Sequence, residues 1–100
     1  MADLALFITV RTQPGKRDAL KALWEEHLKP RAAANASQSR YVFSYDLHDA
    51  DVIRLAEVYE TETAFQENAS GPWFAAYMKA AAPLLAGEPE VHMAAPQWVK

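Results

Sequence analysis

The chain has 100 residues, no cysteine, a formal net charge of −3 and 51% apolar residues. That suffices for a single domain, residues 1–100, but a chain this short buries only about 60–70% of its unfolded surface, so a second subunit would add stability. The acidic balance supplies no broad positive field for nucleic acid or an anionic membrane, and the absence of thiols excludes disulfides and thiolate metal sites.

Leu4 to Thr12 is apolar and β-branched and stops at Pro14-Gly15, which marks a first strand with apolar residues on both faces. That pattern predicts cover on both sides, by helices on one and a second sheet on the other, and hence a homodimer. The run Leu4–Val10 is too short to span a membrane, and Met1-Ala2-Asp3 before it has no basic signal-peptide region, so the expected location is cytoplasmic.

From Lys16 the period changes: Leu20, Leu23, Trp24, His27, Leu28 and Arg31 form one helical stripe. Pro30 lacks an amide donor and ends or kinks this helix near Leu28 to Lys29, leaving residues 32–39 as a frayed end and loop. Ser39 to Leu47 then sets Tyr41, Phe43, Tyr45 and Leu47 at two-residue spacing, giving a second strand with an aromatic face. After the polar turn at residues 48–51, Val52 to Tyr59 reads as a third strand in an antiparallel hairpin.

Thr61 is an N-cap residue for a helix running to about Ala69. Ser70-Gly71-Pro72 breaks that helix and restarts another, whose apolar stripe is Phe74, Tyr77, Met78 and Ala81. Pro83 and Ala86-Gly87 close it, and Pro89 to Ala95 alternates as a fourth strand. The order strand, helix, strand, strand, helix pair, strand predicts an α+β fold: a ferredoxin-like split β-α-β with a four-stranded antiparallel sheet.

Two residues stand out on physical grounds. His27 lies on the apolar helical stripe, where an imidazole would reach the space between helix and sheet and could act as general base. Glu57 shares a strand face with Ile53, Leu55 and Tyr59, and a carboxylate there is costly to bury unless it is paired. Its alternatives are a site role or a structural ion pair with Arg40 or Arg31. His48 and His92 occupy a turn and an exposed strand position. No Gly-rich phosphate loop, nucleotide fingerprint, Ser-His-Asp order or His-x-x-His spacing occurs, so neither flavin, nicotinamide nor a structural metal is implied.

The phrases Gln13-Pro14-Gly15-Lys16, Arg40-Tyr41, Glu57-Val58-Tyr59-Glu60-Thr61, Gly71-Pro72-Trp73-Phe74 and Glu90-Val91, in this order, resemble the antibiotic biosynthesis monooxygenase (ABM) family of dimeric α+β barrels. The likeness covers nearly the whole chain. It departs from the family at Asn68 and Trp73, where many relatives carry histidines, and at Met78, where the haem-degrading branch places its iron-ligating histidine.

The resemblance implies a homodimer with a cavity between helices and sheet in each subunit. It implies cofactor-independent oxygenation of a small phenol, quinol or polyketide-like substrate, with dioxygen as co-substrate. On that reading His27 or Glu57 is the base, while Trp24, Asn68, Trp73, Phe74 and Tyr77 bind and orient the ring. Two alternatives stay open: an isomerase of small carbonyl compounds using His27 and Glu57 as an acid/base pair, and a non-catalytic binding or stress-related module.

Overall fold

Proline and glycine positions set the element boundaries of the computed structural model, which describes residues 2–100. The elements are β1 (Leu4–Arg11), α1 (Arg17–His27), α2 (Lys29–Ala34), β2 (Gln38–Tyr45), β3 (Val52–Tyr59), α3 (Glu62–Ala69), α4 (Pro72–Ala81), a 3-10 turn (Ala82–Leu84) and β4 (Glu90–Ala94). Gly15 takes a φ of +75°, which the Pro14-Gly15 turn requires, and its amide donates to Asp51 Oδ1 at 3.0 Å. At the other connection Thr61 caps α3 as expected, its Oγ1 accepting from the Ala64 amide at 3.0 Å.

The residues beyond Leu28 do not fray. Leu28 leaves ideal helical geometry, its amide still donating to Trp24 O, and the chain restarts as the short helix α2 with Pro30 in the first turn, where no donor is needed. Helix four is also tightly placed: Gly71, its N-cap, is buried beneath the Trp73 indole.

All strands pair antiparallel in the order β2-β3-β1-β4, the ferredoxin-like arrangement. Register places Leu6, Ile8, Val10, Ile53, Leu55, Glu57, Tyr59, Tyr41, Phe43 and Tyr45 on one face. Helices α1 and α4 cover that face through a core of Val10, Leu20, Ile53 and Ala81, against which Leu23, Phe43, Leu55 and Tyr77 pack. Leu20 and Ile53 are each 1% exposed, a burial worth about 1.5–3 kcal/mol apiece.

The opposite face of β1 carries Ala5, Phe7 and Thr9. Phe7 is 53% exposed, and the tail after β4 crosses that side alongside Ala5, Phe7 and Val58. Strand two also differs at both ends. It begins at Gln38 and stops at Tyr45, so Leu47 falls in the turn and is 92% exposed instead of extending the aromatic face. Asp46 organises that turn, accepting from the amides of His48 and Asp49 and from Arg54, while Arg17 donates to the carbonyls of Asp46, Asp49 and Val52. Among the described residues no helix is long and apolar enough to cross a membrane.

Candidate active site

A register shift between Gln38 and Arg40 decides what surrounds Glu57. Strict alternation would put Gln38 and Tyr41 on opposite faces, but the irregularity turns both side chains inward. Gln38 then pairs with Tyr59 and Tyr41 with Glu57, so four polar groups meet on the helix-covered face.

Glu57, 7% exposed, is tied by one oxygen only. Its Oε1 accepts from Gln38 Nε2 at 2.7 Å and from the Tyr59 hydroxyl at 3.0 Å. Its Oε2 accepts no hydrogen bond among the described residues. Burial raises the Glu57 carboxyl above the ordinary carboxylate value, and the hydrogen bonds from Tyr59 and Gln38 only partly oppose it. The ion pair with Arg40 or Arg31 is not formed: Arg40 lies on the outer face and donates to the Ser39 and Lys100 carbonyls, and Arg31 stacks on Trp73.

From Tyr59 the network crosses to the helices. Asn68 Nδ2 donates to Tyr59 Oη at 2.9 Å, and Asn68 Oδ1 accepts from Trp73 Nε1 at 3.0 Å. Asn68 can serve both because α3 ends one residue later and the chain bends at Ser70-Gly71 before α4 begins. Gln38 Nε2 also reaches Tyr59 Oη at 3.1 Å, which leaves Gln38 Oε1 buried and unpartnered. Burial first, and then the neighbouring Glu57 charge, hold the Tyr59 hydroxyl well above the ordinary phenol range.

A second, aromatic cluster adjoins the first through Tyr41. Trp24 Nε1 donates to Tyr41 Oη at 3.0 Å, and the Trp24 ring lies 5.5 Å from that of Tyr41 and 4.3 Å from that of Phe43. Burial and the facing Glu57 push the Tyr41 hydroxyl far up as well. Tyr77, pushed up to about 12 by burial, presents its ring 6.4 Å from that of His27.

Of the residues singled out from sequence, Glu57, Asn68 and Trp73 therefore share one hydrogen-bonded network. Trp24 adjoins it, and Tyr77 packs with the core beside His27. His27, the last residue of α1, is half-buried, and its nearest carboxylate is Glu26 at 3.8 Å. No hydrogen bond joins it to Glu57 among the described residues. Phe74 is half-buried in the first turn of α4 and has no aromatic partner among the described residues. Sequence reading did not single out Gln38, Tyr59, Tyr41 or Arg31 as site residues. The register shift hides Gln38, and the other three read as strand or helix packing.

Two open clefts, of about 460 and 380 Å³, flank the tail at residues 96–100 and not the Glu57 network. The tail creates them by crossing the outer face and start of the sheet beside Ser39, Arg40 and Val58. The chain matches no protein-family model and no curated protein sequence.

Solved structures are similar over almost the full length. A protein from Chloroflexus aurantiacus, provisionally named an antibiotic biosynthesis monooxygenase, is 27% identical with a TM-score of 0.82, covering 97% of this chain and 95% of its own. A protein of unknown function from Nitrosomonas europaea is 25% identical with a TM-score of 0.84, covering 100% and 94%. A protein from Caulobacter crescentus, also provisionally named an antibiotic biosynthesis monooxygenase, shares the fold at a TM-score of 0.87 and 18% identity, covering 95% and 90%. With its five sequence phrases seated on this fold, the chain is similar to a protein provisionally named an antibiotic biosynthesis monooxygenase over nearly its whole length.

Proposed function

We propose that this domain is a cofactor-independent monooxygenase of a small phenol or quinol, acting as a homodimer with Glu57 as general base. The observation that carries the reading is a buried carboxylate held by one oxygen and free at the other, beside the Tyr41 and Tyr59 side chains. Burial brings such a carboxyl closer to the phenol it must deprotonate, which favours general-base catalysis.

The phenolate is electron-rich enough to pass one electron to dioxygen. Recombination of the resulting radical pair forms a carbon–oxygen bond, and loss of water from the hydroperoxide leaves one oxygen atom in the product. The substrate supplies both hydrogens of that water and both electrons. Asn68 is the orienting group, by hydrogen bonding, with Trp24, Phe74, Tyr77 and the edge of the Trp73 indole as apolar walls.

A second copy on the outer face would cover Phe7 and Val42, each 53% exposed, and Trp98, 80% exposed. Sedimentation should give a dimer at micromolar concentration; a stable monomer would contradict that part of the reading.

Oxygen uptake with a panel of quinols and hydroxynaphthalenes tests the chemistry. Glu57→Gln should lower kcat by at least about 100-fold, whereas His27→Ala should retain most of it. Full activity of Glu57→Gln would overturn the assignment. Turnover of substrate under anaerobic conditions would favour carbonyl isomerisation instead.

A further inference from the structure

The chain has five arginines, and four have acceptors. Arg11 pairs with Asp49 and Arg54 with Asp46, while Arg17 and Arg40 donate to backbone carbonyls. Arg31 differs. Its guanidinium carbon sits 4.4 Å from the centroid of the Trp73 ring, and among the described residues it has neither an ion pair nor a hydrogen bond. It lies in the short helix α2 that restarts the chain at Lys29-Pro30.

Stacking fixes the plane of a guanidinium but leaves its five N–H donors available at the edges. The same indole donates to Asn68 and is three hydrogen bonds from Glu57, so Arg31 marks the outer end of the Glu57–Tyr59–Asn68–Trp73 line. We infer that the aromatic substrate carries a carboxylate remote from its phenol and that Arg31 is the residue that selects it. The inference rests on the reading that the ring binds along this line with its hydroxyl toward Glu57. The forked donor geometry suits a carboxylate better than a single ammonium would.

The test is calorimetric titration of the full chain with 6-hydroxy-2-naphthoate and with 2-naphthol, which share one ring and one hydroxyl. Wild type should bind the acid about tenfold more tightly, the scale of one solvent-accessible charge-assisted contact. Arg31→Gln should bring the two affinities together by weakening only the acid, and Arg31→Lys should keep part of the preference. Equal affinities in wild type, an undiminished preference in Arg31→Gln, or no binding of either compound would overturn the inference. So would equal weakening of both ligands in Arg31→Gln, because Arg31 would then merely hold Trp73 in place. Anion preference without oxygen uptake would leave the selection by Arg31 standing and remove the oxygenase reading.

Discussion

Replacing Gly71 by alanine perturbs Trp73 without altering the indole itself. A Cβ at Gly71 would lie 2.3, 2.4 and 2.5 Å from three atoms of the Trp73 ring, far inside ordinary contact distance, so the ring has to leave its position. Backbone conformation adds no penalty, since Gly71 sits at φ −69° and ψ 151°, which alanine adopts freely. What is lost is the set of contacts the indole makes. The hydrogen bond to Asn68 is worth about 1 kcal/mol and the exposed stack with Arg31 about 0.5–1 kcal/mol. Partial loss of indole burial adds about 1 kcal/mol, for a total of about 2–3 kcal/mol.

Trp73→Ala should cost a similar amount, because it removes the same contacts. In that background the alanine at 71 meets no ring and should be neutral, or stabilising by about 0.5 kcal/mol through a stiffer unfolded chain. The double-mutant cycle, measured by denaturant unfolding, should therefore return a coupling of about 2 kcal/mol or more. A coupling below about 0.5 kcal/mol would refute the placement of Trp73 over Gly71, and with it the hydrogen bond that ties α4 to the Glu57 network.

Three further outcomes follow from the same geometry. Folding raises the Glu57 carboxyl, so the native chain holds that proton more tightly than the unfolded chain; stability falls as pH rises from the ordinary 4.5 through the raised value and is then flat. Glu57→Gln should lose this slope in a series of denaturation midpoints against pH, and an unchanged slope would contradict the burial. Asp46 behaves oppositely: the Arg54 hydrogen bond and the amides of His48 and Asp49 lower it from 3.8 to about 2, so its contribution is complete above 3.8 and lost as pH falls toward 2. Asp46→Asn should flatten the acid limb of the stability profile. Thr61→Ala should cost about 1 kcal/mol, read as a lower thermal midpoint, by removing the acceptor for the Ala64 amide.

Strand and helix order was legible because each boundary carries its own local chemistry: Pro14-Gly15, Pro30, Thr61 and Gly71-Pro72 act within a few residues of themselves. The site was only half legible. Period two correctly placed Glu57 among apolar neighbours, but that same rule, applied to β2, could not anticipate the shift that turns Gln38 inward. Leu47 shows the converse, an apolar residue in phase with the aromatic face that the Asp46 turn pulls into solvent. The partners of Glu57 were hidden for a further reason. An arginine is the expected companion of a buried carboxylate, and here an amide and a phenol take that place while Arg31 sits over Trp73.

The contrast between Asp46 and Glu57 bears on what Glu57 is for. Both carboxylates accept hydrogen bonds from well-placed donors. At Asp46 the donors include a guanidinium and the group stays ionised into strong acid, which is how a carboxylate that only stabilises a turn behaves. At Glu57 the donors are neutral and burial outweighs them, so the proton affinity rises. A structural role would be served at least as well by a glutamine, which could accept at the same oxygen without the cost of a buried charge. The unengaged oxygen and the raised proton affinity give this acid, on the reading proposed above, the capacity to take up and release a proton beside Tyr41 and Tyr59.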